Sequence, residues 1–122
     1  MPLYSNLVLD HVLNPRNAGQ IPDANAYAEI TNPACGDIMK LWLRFNGDRI
    51  AEAKYHTYGC PASVAASSIL SEWLTGRSLS EAKTLTRKQF AEIIGMLPND
   101  KRHAIALVVD CLGAALASAG QN

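Results

Sequence analysis

Two thiols, a carboxylate and an imidazole are the groups of this chain best suited to a soft or borderline metal, and they fall in three short segments. PACGD, residues 33–37, sets the thiol of Cys35 two positions from the carboxylate of Asp37 across a glycine. The stretch lies between elements, so both side chains can converge on one ion. In YGCPAS, residues 58–63, Pro61 suits a first helical position, which makes Cys60 the N-cap of a helix that follows a strand. A thiol there faces unpaired backbone N–H groups and the positive end of the helix dipole, which favours the thiolate, either as metal ligand or as nucleophile. His103 stands in the first turn of the last helix, just after a loop, where it can reach out of the core. Cys35, Asp37, Cys60 and His103 together supply four donors of mixed softness, a set that suits tetrahedral zinc or the irons of a small cluster.

Blander uses of the same residues exist. A Cys-Gly-Asp turn also fits a buried cysteine, and Cys60 also fits a small apolar residue at a tight packing point. His11 lies on the apolar stripe of the first helix and reads as a packing residue, whereas His56 shares a polar strand face with Glu52 and Lys54 and reads as solvated. An enzyme using Cys60 as nucleophile with His56 or His103 as base is a third use. Nothing in the chain resembles an oxyanion-hole or substrate-pocket signature that would support it.

The elements that must position these groups follow from periodicity. Tyr4, Leu7, Val8, His11 and Val12 repeat at helical spacing beside a Ser5 cap, and Pro15 ends that helix. AYAEIT, residues 26–31, has strand content, and Leu41, Leu43 and Phe45 alternate with Lys40, Trp42 and Arg44 as in a half-buried strand. Asn46-Gly47 signals a hairpin into a return strand from Arg49 to Tyr58, with Ala51, Ala53 and Tyr55 on one face. Ala62, Ala65, Ala66, Ile69, Leu70 and Trp73 then form a helical stripe that stops at Gly76. Ser78 with Glu81 and Thr86 with Gln89 read as capping boxes of two short helices. The last helix begins at Pro98-Asn99-Asp100, with Ile105, Val108, Val109, Leu112 and Leu116 on its stripe. The expected architecture is α+β, a three-stranded antiparallel sheet with helices packed on one face.

The whole-chain properties narrow the class. At 122 residues the chain forms one domain, 1–122, able to enclose its own core. Eleven basic residues balance 11 acidic ones, and no basic run exceeds a pair, so no nucleic-acid footprint is expected. Three separated cysteines are an odd count for a disulfide framework. No basic, apolar leader opens the chain and no window approaches the roughly 18 apolar residues of a membrane span, so a cytoplasmic protein is expected, with no membrane partner.

Taken together, YSNLVLDHVLNPRNAG, NPACGDIMKL, KYHTYGCPAS, ASSILSEWLTGRSLSEA and LPNDKRH resemble, in order and across nearly the whole chain, the IscU/NifU-type iron-sulfur cluster scaffold family. The insertion of the SufU-type branch is missing, so the resemblance is to the IscU type. It implies a protein that assembles a [2Fe-2S] cluster on itself and passes it to apo iron-sulfur client proteins, with sulfur supplied by a cysteine desulfurase. A frataxin-like protein or a ferredoxin would be accessory partners, and the chain would be a monomer or a dimer. By position the family's ligand cysteines fall on Cys35 and Cys60, its labilising aspartate on Asp37 and its histidine on His103. Its lysine two residues before the histidine falls on Lys101, and Tyr4 matches a tyrosine of its dimer contacts. In this reading the protein is a carrier and not an enzyme.

Two departures from the family pattern stand out. The residue after the histidine, a third cysteine in the family, is Ala104, and the chaperone-recognition segment Leu-Pro-Pro-Val-Lys is here Leu-Pro-Asn-Asp-Lys, Leu97 to Lys101, which argues against handover through an Hsp70-type chaperone. Cys111 lies on nearly the same side of the helix as Ala104 but seven residues on, roughly 10 Å along the axis. It therefore reads as core filler unless the start of the helix unwinds. With one thiol fewer, a zinc-bound persulfide acceptor partnering the desulfurase is the alternative to a cluster scaffold, and a degenerate relative that keeps only desulfurase binding is another.

Overall fold

The computed structural model describes residues 4–33 and 36–119. Helix α1 (Asn6–Leu13) leads to strands β1 (Ala26–Thr31), β2 (Ile38–Asn46) and β3 (Arg49–Tyr58). Helices α2 (Pro61–Leu74), α3 (Leu79–Lys83) and α4 (Arg87–Ile94) follow, and a 3₁₀ turn at Asn99–Lys101 precedes α5 (His103–Ala119). The strands lie in the order β1-β2-β3, both pairs antiparallel. The α+β architecture expected from the sequence is the one found.

Alternation along β2 sends Met39, Leu41 and Leu43 into the core, all fully buried, while Lys40, Trp42 and Arg44 face outward and stay half-exposed. Helix α5 lies across β1 and β2, α2 lies against β3, and α1 packs on α2, so the helical layer covers the inner face. Asn46-Gly47 makes the hairpin as expected, with Gly47 at φ 64°. The return strand differs in one detail. Phe45 pairs with Ile50 after Arg44 has paired with Glu52, so Ala51 is the extra residue of a β-bulge. Ile50 is therefore the fully buried residue, and Ala51, expected inside, is only half-buried.

The caps read from sequence are present. Ser5 accepts a hydrogen bond from the Val8 amide and donates to the Ile94 carbonyl, tying α1 to the end of α4. Both capping boxes, Ser78 with Glu81 and Thr86 with Gln89, are complete. On α2 the buried surface is broader than the apolar stripe, because Ser63, Ser67, Ser68 and Ser71 are all fully buried. Trp73, expected on that stripe, is half-buried, with the Arg77 guanidinium 4.3 Å from its ring centroid.

His11 is buried as expected: its Nδ1 lies 2.6 Å from Ser68 Oγ and its Nε2 3.1 Å from the Glu72 carboxylate. Burial, and the neighbouring Arg16 after it, push the imidazole below its ordinary value, against the opposing pull of Glu72 and Asp10. His56 lies on the outer face of the sheet, as its polar strand face implied. It is half-buried there, edge-on to both Trp42 and Tyr58 in a row that continues to Tyr27.

Cys111 is completely buried, with Sγ 3.7 Å from the Ala28 carbonyl and 3.6 Å from that of Met39, and desolvation pushes its thiol up to about 12. That is the environment of a core residue. Asn99–Ala119 is, by length and composition, apolar enough to cross a membrane, contrary to the sequence expectation of no such stretch. Its apolar face, including Ala104, Ile105, Val108, Leu112 and Ala115, is buried in the core that the sheet shares.

The edges of the sheet are unequal. Along β3 the outer backbone is partly covered: Tyr55 donates to the Asn17 carbonyl and accepts from the Gly19 amide, and Arg49 bridges to Ser78. Along β1 the outward amide of Tyr27 is taken by the Ser118 hydroxyl on α5.

Candidate metal centre

Three separate elements deliver donors to one place. The turn before β2 carries Asp37. Gly36, at φ 79°, bends the chain there in a conformation other residues adopt at a cost, and two backbone bonds, Gly36 N–H to Asn32 and Asn32 N–H to Asp37, close the turn. Cys60 is the N-cap of α2, extended at φ −69° and ψ 160°, with Pro61 at the first helical position as predicted. Its thiol makes no capping bond to the backbone of its own helix. His103 is the first residue of α5 and brings Nε2 to Asp37.

These side chains meet. The Cys60 thiol donates toward Asp37 Oδ2 at 3.5 Å and lies 3.8 Å from His103 Nε2, which in turn is 3.4 Å from Asp37 Oδ2. One ligand atom from each of Asp37, Cys60 and His103 falls within 4.8 Å of the others. Asp37 is buried, while Cys60 and His103 are half-buried, so the cluster opens to solvent on one side. A carboxylate, a thiol and an imidazole so arranged can close around one borderline metal or offer ligands to a small cluster. Cys35, the fourth residue of the predicted set, lies outside the described residues. His11, His56 and Cys111 take no part in the grouping.

Two residues of this site were not singled out in the sequence. Ser63, fully buried on the first turn of α2, donates to Asp37 Oδ2 at 2.6 Å and lies 3.5 Å from Cys60 Sγ. Gly59 lies against the carboxylate: a Cβ there would come 2.4 Å from Asp37 Cγ and 2.6 and 2.7 Å from its oxygens. The signal available for Gly59 was a glycine directly before the N-cap cysteine. For Ser63 it was a hydroxyl three residues after that cysteine, on the same side of the helix. Ala104, the residue in place of the family's third cysteine, has its side chain wholly in the core.

Known proteins align with nearly the whole chain. The model of the family described as NifU-like N terminal domain matches residues 3–120. The iron-sulfur cluster assembly scaffold protein IscU of Azotobacter vinelandii is 42% identical over 118 residues, covering 93% of this chain and 91% of that one. Iron-sulfur cluster assembly scaffold protein IscU 1 of Archaeoglobus fulgidus is 40% identical over 114 residues, covering 93% of this chain and 74% of its own. In fold, the N-terminal NifU-like protein of Brucella abortus superimposes with a TM-score of 0.79 over 98% of this chain and 96% of that one, at 14% identity.

Proposed function

Because the chain belongs to the NifU-like N-terminal domain family, we propose that residues 1–122 form a scaffold on which a [2Fe-2S] cluster is assembled and from which it passes to apo-proteins. The cluster is cargo, built and released, and the protein is a carrier. Cys35 and Cys60 supply thiolates, Asp37 a carboxylate and His103 a neutral imidazole. The observation that carries this reading is the convergence of Asp37, Cys60 and His103, from a turn, a helix N-cap and the start of a second helix, with donor atoms within 4.8 Å of one another.

The donor types suit a carrier. A carboxylate is harder than thiolate and grips iron of a cluster less firmly, so an aspartate among the ligands favours release. Sulfur reaches the site as persulfide from a cysteine desulfurase. The acceptor thiolate, Cys60 or Cys35, attacks the outer sulfur of the donor's persulfide; a new S–S bond forms on the scaffold and the desulfurase leaves as its thiolate. Two electrons from a ferredoxin-type donor then release that sulfur as sulfide and regenerate the scaffold thiolate. Cys111 is sealed in the core and position 104 carries no thiol, so neither takes this role. The thiols must be kept reduced for this chemistry, which suits a reducing compartment such as the cytoplasm.

The test is iron and acid-labile sulfide per chain after strictly anaerobic reconstitution with a desulfurase, in the wild type and in Asp37→Cys. The wild type takes up iron and sulfide in equal amounts, and Asp37→Cys releases its cluster to a chelator more slowly. Zinc alone, with no sulfide retained, would overturn the scaffold reading, and faster loss from Asp37→Cys would overturn the role given to Asp37.

A further inference from the structure

Helical serines in a core normally return their proton to the carbonyl one turn back. Two of the four on α2 do so: Ser67 donates to the Ser63 carbonyl at 2.8 Å and Ser71 to that of Ser68 at 2.7 Å. Ser63 differs because it lies in the first turn, where the residue four positions back, Gly59, precedes the helix. Its hydroxyl instead donates to Asp37 Oδ2 at 2.6 Å, the length of a charge-assisted O–H···O⁻ bond.

That oxygen is the one at the centre of the site. Oδ2 is the atom 3.5 Å from the Cys60 thiol and 3.4 Å from His103 Nε2. Ser63 is itself held in place, since its carbonyl accepts from Ser67, whose Oγ lies 2.7 Å from Thr57 Oγ1 on β3. On another side the carboxylate rests against the bare Cα of Gly59. We propose that Ser63 is a positioning residue of the metal centre: its buried hydroxyl holds the Asp37 carboxylate with Oδ2 turned toward Cys60 and His103, and thereby sets how firmly the site grips a metal. This inference rests on the scaffold reading only in taking Asp37 as a ligand.

The test is titration of the cluster-free protein with cobalt(II) alone, followed by the absorption bands of cobalt-bound thiolate, in five proteins: wild type, Ser63→Ala, Ser63→Thr, Asp37→Ala and the Ser63→Ala/Asp37→Ala double variant. Groups that orient a ligand from behind typically contribute about 10–100-fold to metal affinity, so Ser63→Ala weakens cobalt binding about tenfold or more. Once Asp37 is gone the hydroxyl has nothing to orient, and adding Ser63→Ala then changes affinity by no more than about twofold, the scatter of independent sites. Ser63→Thr, which keeps the hydroxyl, binds as the wild type does. A silent Ser63→Ala, an equal loss in the Asp37→Ala background, or a Ser63→Thr as weak as the alanine variant would each overturn the proposal. The two levels separate cleanly. If the wild type binds no cobalt, or Asp37→Ala costs nothing, the metal centre itself fails; if both behave and Ser63→Ala is silent, only the role of Ser63 fails.

Discussion

Gly59→Ala adds a single methyl against the Asp37 carboxylate of the candidate metal centre. The backbone there is not in the left-handed region, so alanine meets no conformational penalty and the effect is purely steric. The new Cβ would lie 2.4 Å from Asp37 Cγ, about 1 Å inside the 3.4 Å at which ordinary contact begins. Asp37 has a short, rotatable side chain, so the simplest relief is rotation of the carboxylate, which breaks the 2.6 Å bond from Ser63 and carries Oδ2 away from Cys60 and His103. Metal ligands tolerate displacements of only about 0.2 Å. A shift of about 1 Å thus removes the carboxylate from the donor set, and cobalt or zinc affinity falls by about 10–100-fold, as for loss of a ligand's support. The fold also loses stability, by about 1–3 kcal/mol, the range for one methyl too many in a packed site. The assay pairs a metal titration with a urea melt and uses Gly113→Ala as control. Gly113 is an exposed position on α5 where a Cβ meets nothing within 4 Å, so that change stabilises by about 1 kcal/mol and leaves metal binding alone. Wild-type metal affinity in Gly59→Ala would refute the placement of the Asp37 carboxylate.

Acid should weaken the fold through His11. Its imidazole is held below the ordinary 6.5 by burial, so the unfolded chain takes up a proton first; its contribution is complete above about pH 6.5 and is lost as the pH falls toward the folded value. The urea midpoint is therefore expected to drop between pH 7 and pH 5, a window above the carboxylates, and a midpoint that rises on acidification would contradict this. Cys111→Ser leaves metal and sulfide content unchanged but costs stability, about 1–3 kcal/mol for a hydroxyl in an apolar site. In the wild type the Cys111 thiol, raised to about 12, reacts with alkylating reagents only after unfolding, while the half-buried Cys60 reacts in the native protein. Rapid native labelling of Cys111, read by mass spectrometry, would count against its place in the core.

Much of the architecture was legible because single residues carry strong local instructions. Asn46-Gly47 admits few conformations other than a tight hairpin, Pro61 after Cys60 fixes where α2 begins, and each capping box names its own helix start. Asp37, Cys60 and His103 group together by donor chemistry alone. What stayed hidden depends on neighbours distant in sequence. A serine on a helix carries the same letter whether it faces water or a carboxylate 26 positions away, so Ser63 gave no sign of its partner. Gly59 looks like any turn glycine until the Asp37 carboxylate is laid against it. The bulge at Ala51 depends on the pairing partner, since counting along β3 alone puts Ala51 inside and Ile50 outside. His56 read as solvated because its companions Trp42 and Tyr58 lie on an adjacent strand and two residues further on.

The unequal edges of the sheet also limit how it can grow. An unpaired edge strand invites another chain to add to it, and a sheet with two such edges can stack into a fibre. Along β3 the segment around Asn17–Gly19 and the bridge from Arg49 to Ser78 already occupy part of the ladder, so an incoming strand finds no continuous row of partners there. Of the two edges, β1 offers the longer run among the described residues, interrupted at Tyr27 by Ser118. A sheet extended through β1 alone would meet a second copy edge to edge about a two-fold axis, each copy presenting the same strand, and would then have only its two partly covered β3 edges left. Strand addition through β1 would thus close on a pair, with only the interrupted β3 edges left outside, which disfavours fibrous self-association.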